Sequence, residues 1–298
     1  MERRNAFSDC HPLVNFLYFA LVLLFTMFFL HPVCLAVSLT SALLCAADLY
    51  GWRRVGRQLR YLLPMALLAA VLNPAFNHEG VTILTYLPSG NPLTLESILY
   101  GLAASAMLAA AVVWFTCASA VLTSDKLVWL FGRLLPALSL LLSMTLRFVP
   151  RFLRQFHAVA EAQRGLGRDV SRGPILRRVR NAVTILSIVV TWALESSVET
   201  ADSMKSRGYG LPGRSAFALY RWERRDTLAL CQLALCGIVL AAGAAAGGMY
   251  WRYYPTIRGG ELSISGIVCQ MAYLLLCTAP AMLNRKEAER WKRSGCKT

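Results

Sequence analysis

The chain has 298 residues, 56% of them hydrophobic and only 16% charged, with a mean hydropathy of +0.49. A soluble domain of this length carries more charge than that, so the composition argues against an ordinary globular protein and for a membrane protein. The net charge of +15 would suit a nucleic-acid binder if it covered a soluble module, but here it sits in blocks between long apolar runs, as it does on the cytoplasmic side of membrane proteins.

Residues 1–12 carry Glu2, Arg3, Arg4 and Asp9, and apolar sequence begins directly afterwards. No small-residue cleavage site follows the first apolar run, so it reads as a retained span and not as a signal peptide. A spanning helix needs about 20 mostly apolar residues to cross roughly 30 Å of hydrocarbon. Six segments qualify: 13–30, 33–50, 61–76, 95–122, 227–250 and 262–283. The expected fold is therefore an all-α integral membrane protein of about six spans, with long amphipathic helices in the middle of the chain.

Basic residues set the expected orientation. Arg53, Arg54, Arg57 and Arg60 separate the second and third runs, and Arg285, Lys286, Arg290, Lys292, Arg293 and Lys297 follow the sixth. The alternate loops, His31–Pro32, 77–94 and 251–261, hold only Arg252 and Arg258. Both termini are thus expected on the cytoplasmic side of the membrane. Two more apolar stretches, 127–146 and 182–198, are nearly long enough to cross. If both crossed, the arginines from Arg147 to Arg180 would be carried outside, against the charge rule.

Periodicity agrees. Arg177, Arg180, Thr184, Ser187, Thr191, Glu195, Glu199 and Asp202 recur every three or four residues and form one polar stripe, with Val183, Leu186 and Val190 on the other side. Ser139, Ser143, Arg147 and Arg151 form a similar line beside Leu138, Leu141 and Leu142. Pro136 and Pro150 are expected to bend that helix or break it. Such helices suit burial against another membrane protein; a hairpin that merely covers its own spans is the alternative. The expected organisation is a four-span region 1–126, a cytoplasmic module of amphipathic helices 127–225 and a two-span region 226–298.

Each amphipathic helix closes on a related signature, Glu161-Ala162-Gln163-Arg164-Gly165 and Asp202-Ser203-Met204-Lys205-Ser206-Arg207-Gly208. Glycine readily takes the left-handed conformation that ends a helix. The arginine before it sits at the negative end of the helix dipole and offers a planar fork to a partner's carboxylate or carbonyls. One such ending is common; two on the same side of a membrane are far more specific.

These residues make the chain resemble the transmembrane T component of energy-coupling factor transporters, a family that includes the cobalt-transport membrane components. The resemblance also rests on Asn73-Pro74-Ala75-Phe76-Asn77-His78-Glu79-Gly80, on Thr123-Ser124-Asp125-Lys126 and on Ser143-Met144-Thr145-Leu146-Arg147-Phe148-Val149-Pro150. It implies that Gln163, Arg164 and Gly165, with Ser206, Arg207 and Gly208, dock two ATP-binding cassette ATPases. It implies also that Leu138, Leu142, Val183, Leu186 and Val190 hold a separate substrate-binding membrane subunit. Gln163 and Ser206 stand where the family pattern has alanine. The implied function is a membrane-embedded coupling subunit of an importer for a vitamin or a metal ion, without cofactor or ATP site of its own; a scaffold or permease with another cytoplasmic partner is the alternative.

Other signals are weaker. Gly208-Tyr209-Gly210-Leu211-Pro212-Gly213-Arg214-Ser215 approaches a phosphate-binding loop, but Arg214 replaces the lysine and Pro212 removes an amide. No ionisable residue lies near the middle of a span, as ion-coupled transporters require. Asn77-His78-Glu79 is an incomplete metal set. The nine cysteines show no framework or zinc spacing and read as packing residues. Gly243-Ala244-Ala245-Ala246-Gly247 permits close helix approach.

Overall fold

The structure is a computed structural model that describes residues 6–86, 92–134, 136–171, 173–209, 211, 220–259 and 264–293. The side chains of 133, 134, 136–139, 286, 288 and 290–293 lie outside that description. In chain order the described elements are α1 (Pro12–Phe28), α2 (Pro32–Tyr50), α3 (Trp52–Phe76), β1 (Ile83–Tyr86), β2 (Pro92–Thr94), α4 (Leu95–Val121), α5 (Ser124–Leu134), α6 (Pro136–Gly165), α7 (Ile175–Ser206), α8 (Arg224–Ala245), β3 (Trp251–Arg252), β4 (Arg258–Gly259) and α9 (Ile264–Arg293). The fold is all-α, with two small antiparallel hairpins, β1–β2 and β3–β4, in the loops before α4 and α9.

Local chemistry sets the helix starts. His11-Pro12 and His31-Pro32 use one device: proline takes the first helical position, where its missing N–H costs nothing, and the histidine Nδ1 accepts the second free amide, Leu13 N–H or Val33 N–H, at 3.3 Å. Burial lowers the His31 pKa, which keeps Nδ1 available as an acceptor. Thr94 caps α4, and Glu223 with Asp226 forms a reciprocal capping box on α8.

Among the described residues six helices are long and apolar enough to cross a membrane: α2, α3, α4, α7, α8 and the first part of α9; α1, at 17 residues, is a shorter apolar helix. The number matches the expectation but the membership differs. Helix α1 stops at Phe28 and rises only roughly 26 Å, while α7 continues for 32 residues through the apolar stretch 182–198.

The chain divides into two compact units, residues 1–126 with 220–298, and residues 127–219. In the first, α4 packs against α1, α2 and α3, and α9 packs against α2 and α8. Its core centres on Tyr18, Phe19, Trp114 and Tyr273, all at least 98% buried, with edge-to-face contacts from Trp114 to Tyr18 and Phe19. A neutral polar node lies in that core. Thr26 Oγ1 meets Ser38 Oγ at 2.9 Å and Tyr273 OH at 2.8 Å, and Trp114 Nε1 donates to Ser38 Oγ at 3.0 Å. Four helices thus share one hydrogen-bonded cluster without burying a charge. Gly243 of the small-residue motif faces α9, where a Cβ would overlap Cys269 Sγ, so that end of the motif serves packing within the chain.

In the second unit α6 packs against α7. Phe152 meets Trp192 edge-on at 5.9 Å, and the Arg151 guanidinium lies 5.1 Å over the Trp192 ring. Of the two prolines expected to bend or break this stretch, Pro136 begins α6, and the helix runs unbroken through Pro150. Asn181, Ile185, Val189 and Ser196 are the buried residues of α7 and share one stripe. Val183, Leu186 and Val190 lie roughly a third of a turn away, 59%, 56% and 48% exposed. Helix α7 therefore has three faces: one toward α6, one apolar and open, one polar.

Candidate functional site

The two expected docking signatures are the C-terminal ends of α6 and α7. At α6 the chain closes with Gly167 N–H donating to Arg164 O at 3.0 Å and Arg168 N–H donating to Gln163 O at 2.9 Å. At α7 it closes with Gly208 N–H donating to Lys205 O and Tyr209 N–H donating to Met204 O, both at 3.0 Å. These are the same pair of crossed bonds, which satisfy the last helical carbonyls when the residue after the cap is left-handed. Gly167 has φ +76° and Gly208 φ +80°.

The terminating glycine after α6 is accordingly Gly167, where the sequence pattern suggested Gly165. Gly165 is the last residue of α6, has ordinary helical backbone and meets nothing where a Cβ would be. The reason is local: Gly165-Leu166-Gly167 offers two places to stop, and the later one lets Arg168 reach the Gln163 carbonyl. The two arginines are thus in different registers. Arg207 is the cap residue itself and is exposed, whereas Arg164 lies two residues inside its cap. The Arg164 side chain is 65% exposed, and its Nε pairs with Asp169 Oδ2 at 3.4 Å. A pair that open contributes little to stability but restricts where the guanidinium points.

Asp169 organises the turn after α6. Its carboxylate accepts Ser171 N–H and Oγ–H at 2.9 Å, and its carbonyl accepts Asn181 Nδ2–H at 3.0 Å. Arg178 Nε donates to Val170 O at 2.7 Å. These bonds draw the α6 tip against the first turns of α7, so Arg164 sits beside the start of α7 and Arg207 at its end. A 32-residue helix rises roughly 48 Å, and the two arginines are set apart by about that length. Asp169, Asn181 and Gly167 escaped the sequence reading; the Gly-x-Gly spacing followed by Arg-Asp was the only available signal.

Among the remaining expected residues, Gln163 is half-buried and Ser206 donates its hydroxyl to Ser203 O at 2.9 Å. Val183, Leu186 and Val190 share the open apolar face of α7, and Leu142 is half-buried on α6. Leu138 lies in α6, but its side chain is outside the described residues, as is most of the segment 208–215 that approaches a phosphate-binding loop.

The long apolar helices among the described residues mark a multi-pass membrane protein. The model of the cobalt transport protein family, CbiQ, matches residues 8–217. The chain belongs to that family. Over 104 residues it is 33% identical to the energy-coupling factor transporter transmembrane protein EcfT of Exiguobacterium sibiricum, a stretch covering 35% of this chain and 40% of the relative. Over 106 residues it is 34% identical to the EcfT protein of Bacillus subtilis, covering 35% and 38%. The matched stretch thus spans about two fifths of these relatives' length.

Proposed function

We propose that this chain is the membrane-embedded coupling subunit of an energy-coupling factor importer, with both termini and residues 127–225 in the cytoplasm. It carries force from two ATP-binding cassette ATPases to a separate substrate-binding membrane subunit that takes up a vitamin or a metal ion, and hydrolyses no ATP itself. The observation that carries this reading is the pair of identically closed helix ends, each bearing an exposed arginine, set one α7 length apart. A single partner domain would need only one such tip; two tips at that separation suit two subunits that move relative to each other. The named role of the EcfT relatives supports the same reading.

The mechanism follows from rigidity. Each tip is stiffened by its closing bonds, and the α6 tip by Asp169 as well, so a displacement of either arginine is passed along the helix instead of being absorbed at its end. Docked in a groove of an ATPase, each guanidinium exchanges water for carboxylates or carbonyls of that subunit, and its planar fork allows paired bonds. The open face of α7 around Val183, Leu186 and Val190 then shifts against the substrate-binding subunit. The polar stripe of α7 and the blocks of arginine around it keep this module on the positively marked side.

Charge reversal tests the reading. Arg164→Glu and Arg207→Glu, purified from membranes of the native host, should each recover at least tenfold less ATPase than the unaltered chain, with equal membrane insertion. A buried guanidinium partner left unpaired costs about 2–5 kcal/mol. Undiminished ATPase recovery with both substitutions would sink the proposal.

A further inference from the structure

The chain leaves the first unit after Lys126 and returns to it at Tyr220. Both connections end on one short stretch, residues 7–11, which precedes α1. On the outgoing side the buried Lys126 donates its Nζ–H to the Ser8 carbonyl. On the returning side Arg225 Nη2 donates to the Asp9 carbonyl at 3.1 Å, and Asp226 Oδ1 accepts His11 N–H at 3.0 Å. The Trp222 ring lies 4.6 Å from that of His11. Desolvation lowers the Lys126 pKa, with Asp9 opposing it, and the charge of Asp125 helps burial to raise that of Tyr220, so the two connections also lie within electrostatic reach of one another.

The stretch is itself held on its other sides. The Phe7 ring is buried and meets Tyr18 at 5.0 Å, and its N–H donates to Asn284 Oδ1 of α9 at 3.2 Å. Asn15 Nδ2 of α1 donates to the Cys10 carbonyl at 3.3 Å. Glu287 of α9 takes Arg225 Nη1 at 3.2 Å. Burying a lysine and an aspartate is a poor way to add stability, because desolvation offsets most of what the charges contribute. It is a good way to fix geometry, since each ion has one set of partners and is costly to leave without them. Methionine would fill the place of Lys126 but would not register it on Ser8.

We infer that residues 7–11 form the fixed root of the coupling module, and that Lys126, Arg225 and Asp226 are positioning residues that hold its two connections, at the starts of α5 and α8, still while the tips at Arg164 and Arg207 move. This rests on the coupling function proposed above. A lever transmits displacement only if its root does not yield; a loose root would let the whole module drift with the ATPases instead of turning the open face of α7 against the substrate-binding subunit.

Hydrogen exchange on the whole complex in lipid nanodiscs, without nucleotide and trapped with ATP and vanadate, tests this. In the unaltered chain, peptides covering 6–15 and 220–228 should change less than twofold on trapping, while those covering 160–168 and 203–209 change at least tenfold. In the double variant Lys126→Met with Arg225→Gln, the root peptides should change more than tenfold on trapping. Root peptides that respond tenfold in the unaltered chain overturn the inference, and this arm needs no substitution if the variant fails to fold. A folded variant whose root stays within twofold overturns it as well. Silence at the tip peptides in the unaltered complex is a different result: it sinks the coupling function itself.

Discussion

At the residue scale, three glycines close to Arg164 and Arg207 have different duties. Gly167 and Gly208 are left-handed and end their helices, while Gly165 is helical and faces open space. A side chain in the left-handed region costs about 1–2 kcal/mol, and at Gly208 a Cβ would also stand 3.1 Å from Leu211 Cδ1. Gly167→Ala and Gly208→Ala should therefore lower the thermal midpoint of the purified protein and weaken ATPase recovery severalfold. Gly165→Ala should be neutral or stabilise by up to about 1 kcal/mol, because helical alanine loses less backbone entropy than glycine. A midpoint that falls equally for all three would mean that the crossed closing bonds do not decide where α6 ends.

At the element scale, two faces can be separated by substitution. The node of Thr26, Ser38, Tyr273 and Trp114 binds α1, α2, α9 and α4 together away from water. Thr26→Val removes its central hydroxyl and leaves Ser38 and Tyr273 each short of a partner. The expected cost is about 1–2 kcal/mol, from interhelical bonds that average about 0.6 kcal/mol each in membranes plus the unpaired groups. Unfolding in detergent measures it, and an unchanged midpoint would mean that the node contributes nothing beyond packing. The open face of α7 behaves in the opposite way. Leu186 is 56% exposed, so Leu186→Glu should leave stability within about 0.5 kcal/mol. Recovery of the substrate-binding subunit should nevertheless drop at least tenfold, with ATPase recovery intact. Equal loss of both partners would show that the face supports the tips and not the membrane subunit.

At the scale of the whole molecule, the arrangement across the membrane decides the function. The free cysteines among the described residues are buried except Cys231, so a background lacking Cys231 and Cys296 can report on introduced thiols. A cysteine replacing Val81, which is 65% exposed in the loop after α3, should react with an impermeant maleimide added to intact cells. Cysteines replacing Ser171 or Ser206 should react only after the membrane is opened. Labelling of either serine position from outside would place the module on the wrong face for cytoplasmic ATPases, and every coupling step above would fall with it.

How much of this was legible in the chain depends on the range of the forces involved. Hydropathy and charge act through solvent and lipid, residue by residue, so the number of long apolar helices, the amphipathic pair and the basic blocks could be read along the sequence alone. The caps at His11-Pro12 and His31-Pro32 use neighbouring residues only, yet they emerged from the structure, since the chain showed His31-Pro32 as no more than a loop. Where a helix stops among competing glycines was not legible, because Gly167 prevails over Gly165 through bonds from Arg168 and a turn braced by Asp169 and Asn181. The apolar side of α7 was visible as one band, yet only packing against α6 turned Ile185 and Val189 inward and left Val183, Leu186 and Val190 open. Least legible was the root, where Ser8, Asp9 and His11 meet Lys126, Arg225 and Asp226 more than a hundred positions away: such pairs carry no periodicity, and only the folded bundle brings a lysine to a particular carbonyl.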